Sequence, residues 1–480
     1  MPAGYSLLPQ TQGQPRSHKR PRSRLFLPVI FAFGFFVAAS LFFYSTNPAP
    51  FSQKIPAWTS NATNFDDLFV KEAQLPQHNL SAPYPEGQTG RYVRFSNQIT
   101  HLGWNNVLQE RLLNTILAYE SNRSPVFSPF EAWAHPPRDD HTKTGDREVL
   151  VIPYSALLAG PTVGAPWGVG DQHPRAISEK WWNTVCPKGQ RTILDVDKIM
   201  QEIGKPEGTE VMRRWTDILS AVPESCVEVE GGVQIFDYLL IGSTRLLSLW
   251  DMFINHPTIK GLKDSDLVTT ALSRNMHKLQ AQTSFSWAAS LFSRSNTITG
   301  LVAIHIRRGD YLGDAGKNNG HCVFFSKWDS TFAGWSQLPQ LLDKFAPPTR
   351  GDTKLGQTNA ELSNYYVQRC LPTPPQVATR LHKIRESKRL THVFIATNAE
   401  PEYLTELKRL LVSDGWASDA IVTSNDLELN WQAASVGVAV DMAITSRAEV
   451  FVGNGFSSLS SNVIMKRMSA GMPLDTTRLW

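Results

Sequence analysis

The sequence predicts an α/β protein of two lobes, of which the C-terminal lobe is the more regular. From residue 296 onward, segments of helical periodicity alternate with short apolar strands, at residues 301–306, 392–396, 420–423 and 450–452. Strands that alternate with helices at this spacing form parallel sheets with crossover helices. Residues 296–480 are therefore interpreted as a Rossmann-like lobe, and residues 89–295 as a second α/β lobe.

The individual elements follow from local patterns. Helices of the C-terminal lobe are predicted at residues 376–389, 404–412, 436–448 and 457–469. In the first lobe, residues 107–119 place apolar side chains on one helical face. Short apolar runs predict strands there at residues 91–96, 125–127 and 149–152.

The composition excludes disorder as the main state and gives no support for nucleic-acid binding. Hydrophobic residues make up 41% of the 480 positions, enough for one large core or two ordinary ones. The net charge is +4, but five bases and no acid fall within residues 1–24, so the remaining chain is close to neutral. A surface that follows a nucleic-acid backbone therefore has no compositional support.

Residues 25–44 form an uncharged segment long enough to cross a membrane. As a helix, such a segment of twenty residues would span the ~30 Å apolar layer of a bilayer. A cleaved signal peptide is the alternative, but its apolar region would be shorter and would end in a small-residue cleavage site. Because basic residues flank only its N-terminal side, residues 1–24 are predicted to be cytosolic. The chain is thus expected to be a single-pass type II membrane protein of the Golgi or endoplasmic reticulum.

Other features fit a lumenal body. Glycosylation sequons begin at Asn61, Asn79 and Asn122. Residues 45–88 are rich in Pro, Ser, Asn and Gln and are predicted to be a stem that holds the body away from the membrane.

All four cysteines follow the predicted anchor, where the compartment is oxidising. They allow three pairings, of which the two local ones, Cys186 with Cys226 and Cys322 with Cys370, are favoured. The absence of a Cys-x-x-Cys pair argues against a zinc site.

Two motifs lie where predicted strands end, the position at which open parallel sheets bind ligands. Residues 305–310 read HIRRGD, and an arginine presents a planar fork that matches phosphate oxygens. Residues 453–462 read GNGFSSLSSN, a strand-to-helix turn whose N–H and hydroxyl groups would bind an anion. The structural alternatives are an arginine paired with Asp310 and a simple serine N-cap. Together, the two motifs favour a diphosphate site.

The missing motifs narrow the class of protein. The chain contains no GxxxxGK[ST] loop, which argues against a P-loop ATPase, and no GxGxxG, which argues against a dinucleotide dehydrogenase.

These motifs, with FIATNAE at residues 394–400 and VAVDMAITSRAEVFVGN around Asp441, resemble those of GDP-fucose-dependent fucosyltransferases. The similarity is to the superfamily of protein O-fucosyltransferases and α1,6-fucosyltransferases, with loops like those of its fungal members. A weaker similarity lies in LGWNN at residues 102–106 of the first lobe.

The resemblance implies a GT-B-like fold, in which two Rossmann-like lobes face a cleft and the C-terminal lobe holds GDP. It implies that Arg307 pairs with the diphosphate as a catalytic residue, and that Asn105 approaches the reacting centre. It further implies nucleotide-binding roles for His305 (nucleotide), Asp441 (guanine edge) and Ser457, Ser458 and Ser460 (phosphates).

Two positions depart from the family pattern. Asn398 stands where related enzymes often have an acidic residue, so a nucleotide contact there is not expected. Related α1,6 enzymes place a glutamate just past the arginine pair as the base, and Asp314 is near but not aligned. The general base is therefore unassigned.

The function implied is inverting transfer of L-fucose from GDP-fucose to a hydroxyl group of a glycoprotein or glycan. GDP-fucose is a donor substrate, no permanently bound cofactor is expected, and no metal is expected because Arg307 and a helix N-terminus would neutralise the leaving GDP. The alternatives are a GT-B transferase for another nucleotide sugar and an inactive, membrane-anchored carbohydrate-binding protein.

Overall fold

The computed structural model describes residues 65–100, 102–133, 149–281, 297–313 and 320–480. The predicted cytosolic tail and anchor, the sequon at Asn61 and the base candidate Asp314 lie outside these residues. Within the described ranges, no helix is long and apolar enough to cross a membrane.

Within the described residues, the strands form two larger sheets and two small ones. In chain order they are β1 (Tyr92–Phe95), β2 (Ser124–Phe127), β3 (Phe130–Trp133), β4 (Val149–Ile152), β5 (Leu158–Ala159), β6 (Ile177–Ser178), β7 (Thr192–Asp195), β8 (Cys226–Glu230), β9 (Lys263–Asp264), β10 (Ile298–Ile306), β11 (His392–Thr397), β12 (Ile421–Thr423), β13 (Ala448–Gly453) and β14 (Thr477–Leu479).

Each of the two larger sheets has five strands, all parallel. The first has the order β6-β2-β1-β8-β7, and the second has the order β12-β11-β10-β13-β14. Strands β3 and β4 form a separate antiparallel pair, as do β5 and β9. The predicted α/β fold with parallel sheets is confirmed.

Helices connect most of the strands. They are α1 (Asp66–Ala73), α2 (Trp104–Glu120), α3 (Tyr154–Leu157), α4 (Glu179–Val185), α5 (Val196–Ile203), α6 (Gly208–Ala221), α7 (Tyr238–Ile241), α8 (Trp250–Asn255), α9 (Pro257–Lys260), α10 (Asp266–Leu279), α11 (His321–Lys327), α12 (Ala360–Cys370), α13 (Pro374–Ser387), α14 (Pro401–Ser413), α15 (Trp431–Ser435), α16 (Gly437–Arg447) and α17 (Ser458–Ser469).

The four strands predicted in the C-terminal half are β10 to β13, and the four helices predicted between and after them correspond to α13, α14, α16 and α17. Strand β14 was not predicted, because its three residues, TRL, carry only one apolar side chain. It extends the second sheet beyond β13.

Residues 65–88 correct the predicted stem of residues 45–88. Phe65 is buried, and its ring lies 5.3 Å from that of Trp431. The Gln77 amide donates to the carbonyl groups of Gly164 and Ala176. The composition of residues 45–88 is polar on average, so it does not indicate these contacts. A few buried side chains are enough to attach residues 65–88 to the body.

Both favoured disulfides are confirmed. Cys186, after α4, is bonded to Cys226 at the start of β8. Cys322 of α11 is bonded to Cys370 at the end of α12. The second disulfide therefore closes a segment that lies between β10 and β11 in the chain.

Candidate active site

The predicted site residues of the C-terminal half gather at the carboxyl edge of the second sheet. From residue 301 onward, odd-numbered residues of β10 pack with α16 and α17, and even-numbered residues pack with α13 and α14. Side chains alternate in this way because successive residues of a strand point to opposite faces. The same alternation directs His305 toward α17, where it meets Ser460, and Arg308 toward Tyr403 of α14.

His305 is a buried, neutral side chain. Its Nδ1 shares a hydrogen bond of 2.9 Å with the Ser460 hydroxyl, and its backbone carbonyl accepts a bond of 3.0 Å from Trp480 Nε1. Burial and the nearby charge of Arg307 lower the pKa of His305 to about 3. Ser460 is fully buried. Its predicted phosphate contact stays a proposal.

Arg307 is partly exposed, with 28% of its side chain accessible. Its Nη2 lies 2.8 Å from Asp310 Oδ1, and its guanidinium lies 5.6 Å from the Tyr311 ring centroid. Burial would raise the pKa of Asp310, but Arg307 and His321 outweigh it and lower the pKa to about 2. The arginine predicted to meet the diphosphate thus has an ionised carboxylate as its partner.

Arg308 has a different environment. Its Nε lies 3.0 Å from Glu400 Oε2, and its guanidinium lies 4.5 Å from the ring centroid of Tyr403 in α14. Its backbone N–H donates to Asn398 Oδ1 at 2.8 Å. Asn398 therefore holds the turn after β10 in place.

The turn after β13 leads directly into α17. Ser457 is the N-cap residue, and Ser458 is the first residue of the helix. The Tyr311 hydroxyl donates to the Phe456 carbonyl at 2.8 Å, which joins this turn to the HIRRGD turn. The N–H groups of the first helical turn have no acceptors within the helix and lie at the positive end of its dipole. The Arg307 guanidinium lies over the ring of the same Tyr311.

Asp441 lies in α16 and is buried. Its Oδ2 accepts a hydrogen bond of 2.8 Å from the Ser424 hydroxyl, at the end of β12. Burial raises the pKa of Asp441 to about 7, although the Ser424 bond opposes this shift. The carboxyl group can therefore change its protonation state near neutral pH.

Asn105, the site residue predicted in the first lobe, lies at the start of α2 and is buried. Its Oδ1 and its backbone carbonyl both accept from Asn462 Nδ2 of α17, at 2.9 and 3.0 Å. The structure thus places Asn105 against the helix whose first turn follows Ser457. Its predicted catalytic role stays a proposal.

Three contacts of the site were not predicted. His321 pairs with Asp310, Ser424 bonds Asp441, and Trp480 bonds the His305 carbonyl. Each partner is distant in sequence or lacks a motif, so only the fold brings it to the site. Within the described ranges, no group of three or more His, Cys, Asp or Glu side chains is placed to hold a metal ion.

Comparison with known proteins identifies the class of this site. Residues 250–469, from α8 to the end of α17, match the family model of GDP-fucose protein O-fucosyltransferases. This part of the chain, which holds the second sheet and α17, is therefore similar to GDP-fucose-dependent fucosyltransferases.

The solved structures to which this chain is similar include POFUT1 in complex with GDP-fucose. It is 16% identical, with a TM-score of 0.41, over 79% of this chain and 95% of that chain. An arginine-to-lysine mutant of Arabidopsis thaliana FUT1 in complex with GDP is 10% identical, with a TM-score of 0.33, over 85% of this chain and 74% of that chain. No curated protein matches the sequence.

Proposed function

We propose that the protein transfers L-fucose from GDP-fucose to a hydroxyl group of a glycoprotein or glycan, with inversion at the anomeric carbon, in the secretory pathway. The observation that carries the proposal is that the Arg307 guanidinium lies over the ring of Tyr311, whose hydroxyl bonds the Phe456 carbonyl in the turn that leads into α17, within the residues that match the family. A GT-B-like arrangement, with the donor on the second lobe and the acceptor in the cleft, completes the proposal.

Arg307 and the first turn of α17 would stabilise the leaving group. As the bond between fucose and the β-phosphate breaks, the sugar gains oxocarbenium character and the phosphate gains negative charge. Hydrogen bonds from fixed donors to the β-phosphate oxygens strengthen as the negative charge develops. One such donor stabilises the transition state by about 3–4 kcal/mol. In the free protein Arg307 pairs with Asp310, so this pairing must loosen as the diphosphate enters.

His305, Ser457 and Ser458 would support the same diphosphate. A neutral His305 adds no charge, but it fixes the buried Ser460 and hence the first turn of α17. Ser457 and Ser458 stand at the positive end of the helix, where hydroxyl and N–H groups can donate to phosphate oxygens.

Asp441 would select the base. Guanine offers N1–H and N2–H as neighbouring donors, and an ionised carboxylate offers two acceptor oxygens. In the free protein Asp441 accepts from Ser424 and has a pKa raised to about 7 by burial. Two donors from guanine would favour the ionised form, so binding is expected to release a proton.

The proposal is tested by incubating the purified full-length chain with a panel of nucleotide sugars and measuring release of the nucleotide. GDP-fucose should be turned over fastest, GDP-mannose should test the choice of sugar, and UDP-glucose should test the choice of base. Faster turnover of a UDP-sugar would contradict the proposed donor. Failure to bind GDP or to release it from GDP-fucose would contradict the proposed enzyme activity.

A further inference from the structure

The Asp310 carboxylate lies between the side chains of Arg307 and His321. Its Oδ1 lies 2.8 Å from Arg307 Nη2, and its Oδ2 lies 3.3 Å from His321 Nδ1. Only 20% of the Asp310 side chain is accessible. Each carboxylate oxygen therefore lies close to a nitrogen of a different side chain.

This sharing matters when Arg307 turns toward a diphosphate. A largely buried carboxylate that loses its only cation is strongly destabilised, because its charge is then left without a partner. His321 stays on the second oxygen and limits this penalty. The Arg307 guanidinium can then move closer to the phosphates and interact more strongly with them.

His321 is itself held firmly. It is the first residue of α11, and the next residue, Cys322, is fully buried and bonded to Cys370. The Cys370 carbonyl accepts a bond of 2.8 Å from the Asn454 side chain, in the turn that leads into α17. The segment that carries His321 is thus attached to the other half of the diphosphate site.

We infer that His321 is a positioning residue for the transfer reaction, which acts through Asp310 to set the orientation and available charge of Arg307. The inference rests on the proposed function and adds to it a residue outside the motifs. His321 does not touch the diphosphate in this account, so its whole effect passes through Arg307.

The test is a double-mutant cycle in the full-length chain, with kcat and KM for GDP-fucose as readouts. His321→Ala should lower kcat/KM by roughly tenfold, the scale of coupling between residues in one ion-pair network. The same substitution should have little further effect in an Arg307→Ala background. His321→Asn should restore most of the activity, because its amide nitrogen can take the position of Nδ1.

His382 supplies the matched control. His382 also pairs with an aspartate, because its Nδ1 lies 2.6 Å from Asp414 Oδ1. This pair is elsewhere in the fold: His382 is on α13, and Asp414 directly follows α14. His382→Ala should stay within about twofold of the wild type, since surface ion pairs contribute little. Melting temperatures measured alongside separate a loss of folding from a loss of positioning.

Two outcomes would overturn the inference alone, given an active wild type. One is an unchanged kcat/KM in His321→Ala, and the other is an equal further loss when Arg307 is already alanine. A wild-type chain that neither binds GDP nor releases it from GDP-fucose would overturn the proposed function, and this inference with it.

Discussion

The two neighbouring arginines of the HIRRGD motif, Arg307 and Arg308, have different partners. They follow the same strand, yet Arg307 pairs with Asp310 and lies over Tyr311, whereas Arg308 pairs with Glu400 just before α14. The cause is the two-residue period of β10, which sends alternate side chains to opposite faces. Chemically identical side chains are thus expected to differ in function.

Arg307→Ala is predicted to lower kcat for GDP-fucose by about 10²–10³, the scale for losing one donor to the transition state. Arg307→Lys should recover little of this loss, because an ammonium group cannot reproduce the planar fork. Arg308→Ala is the control and should change kcat only severalfold. Steady-state kinetics and melting temperatures check the three variants. A folded Arg307→Ala chain with near-normal turnover would make the arginine pair structural.

The KM for GDP-fucose is predicted to depend on Asp441 through pH. Because burial raises the pKa of this carboxyl to about 7, the ionised form that accepts from guanine is depleted as the pH falls. Binding should therefore be fully present above this pKa and be lost below it. Lowering the pH from about 8 to about 6 should raise KM about tenfold.

GDP-fucose suits this measurement because both of its phosphates remain ionised over that range. Asp441→Asn is the control, since it cannot titrate and should give a weaker but flatter profile. A wild-type KM that is flat across the range, or one that falls as the pH falls, would argue against Asp441 as the guanine acceptor.

At the scale of elements, α17 joins the predicted donor site to the first lobe. Asn462 of this helix donates to Asn105 of α2, and Ser461 accepts from Gln109 of α2 at 2.5 Å. The backbone N–H of Trp335 also donates to Ser461. One face of α17 is thus held by the first lobe, while its N-terminus lies at the carboxyl edge of the second sheet.

The disulfide between α11 and α12 is predicted to support donor binding as well as stability. Cys322→Ser/Cys370→Ser should raise KM for GDP-fucose severalfold, because the disulfide lies between His321 and the Asn454 contact. Cys186→Ser/Cys226→Ser should leave KM unchanged. The two disulfides span 48 and 40 residues, so the loss of stability expected from chain entropy is similar, about 4 kcal/mol.

The comparison requires KM values measured at a temperature at which both double variants are folded. Thermal melts of the two variants establish that temperature. Equal KM values in the two variants would show that the disulfide near the site acts on stability alone.

At the scale of the whole molecule, the sequence predicts the second sheet well because its strands are uninterrupted apolar runs between helices. Strand β10 is buried along nearly its whole length, and the run LVAIHI marks it clearly. Strand β14 is short and polar and pairs only at the sheet edge, so no pattern marks it. The segment 65–88 escaped prediction because single side chains such as Phe65 and Gln77 attach it.

Some residues of the candidate site can be predicted from the sequence, and others cannot. Arg307, Ser457 and Ser458 lie in motifs at strand ends, where the general rule for parallel sheets places ligands. His321 and Ser424 meet their partners only through tertiary packing. Ser460 lies in one of these motifs, but its hydrogen bond with His305 also arises only from tertiary packing.

The predicted topology of the whole chain can be tested at Asn79. This residue is exposed and stands in the sequon of residues 79–81, so a lumenal body should carry a glycan there. Glycosidase treatment should increase the gel mobility of the wild type, and Asn79→Gln should remove part of that shift. Asn122→Gln is the control and should change nothing, because Pro125 directly follows that sequon. An unglycosylated chain that protease reaches in intact microsomes would contradict a lumenal body.

A crystal structure of the protein with GDP will show whether the carboxyl edge of the second sheet binds the nucleotide of GDP-fucose. We expect the β-phosphate within hydrogen-bond distance of Arg307 and of the N–H groups at the start of α17, with the guanine edge on Asp441. Arg307 should have moved away from Asp310, and His321 should have kept its contact with that carboxylate. GDP bound at the first sheet, or bound with Arg307 still paired to Asp310 and remote from the phosphates, would contradict the proposed donor site.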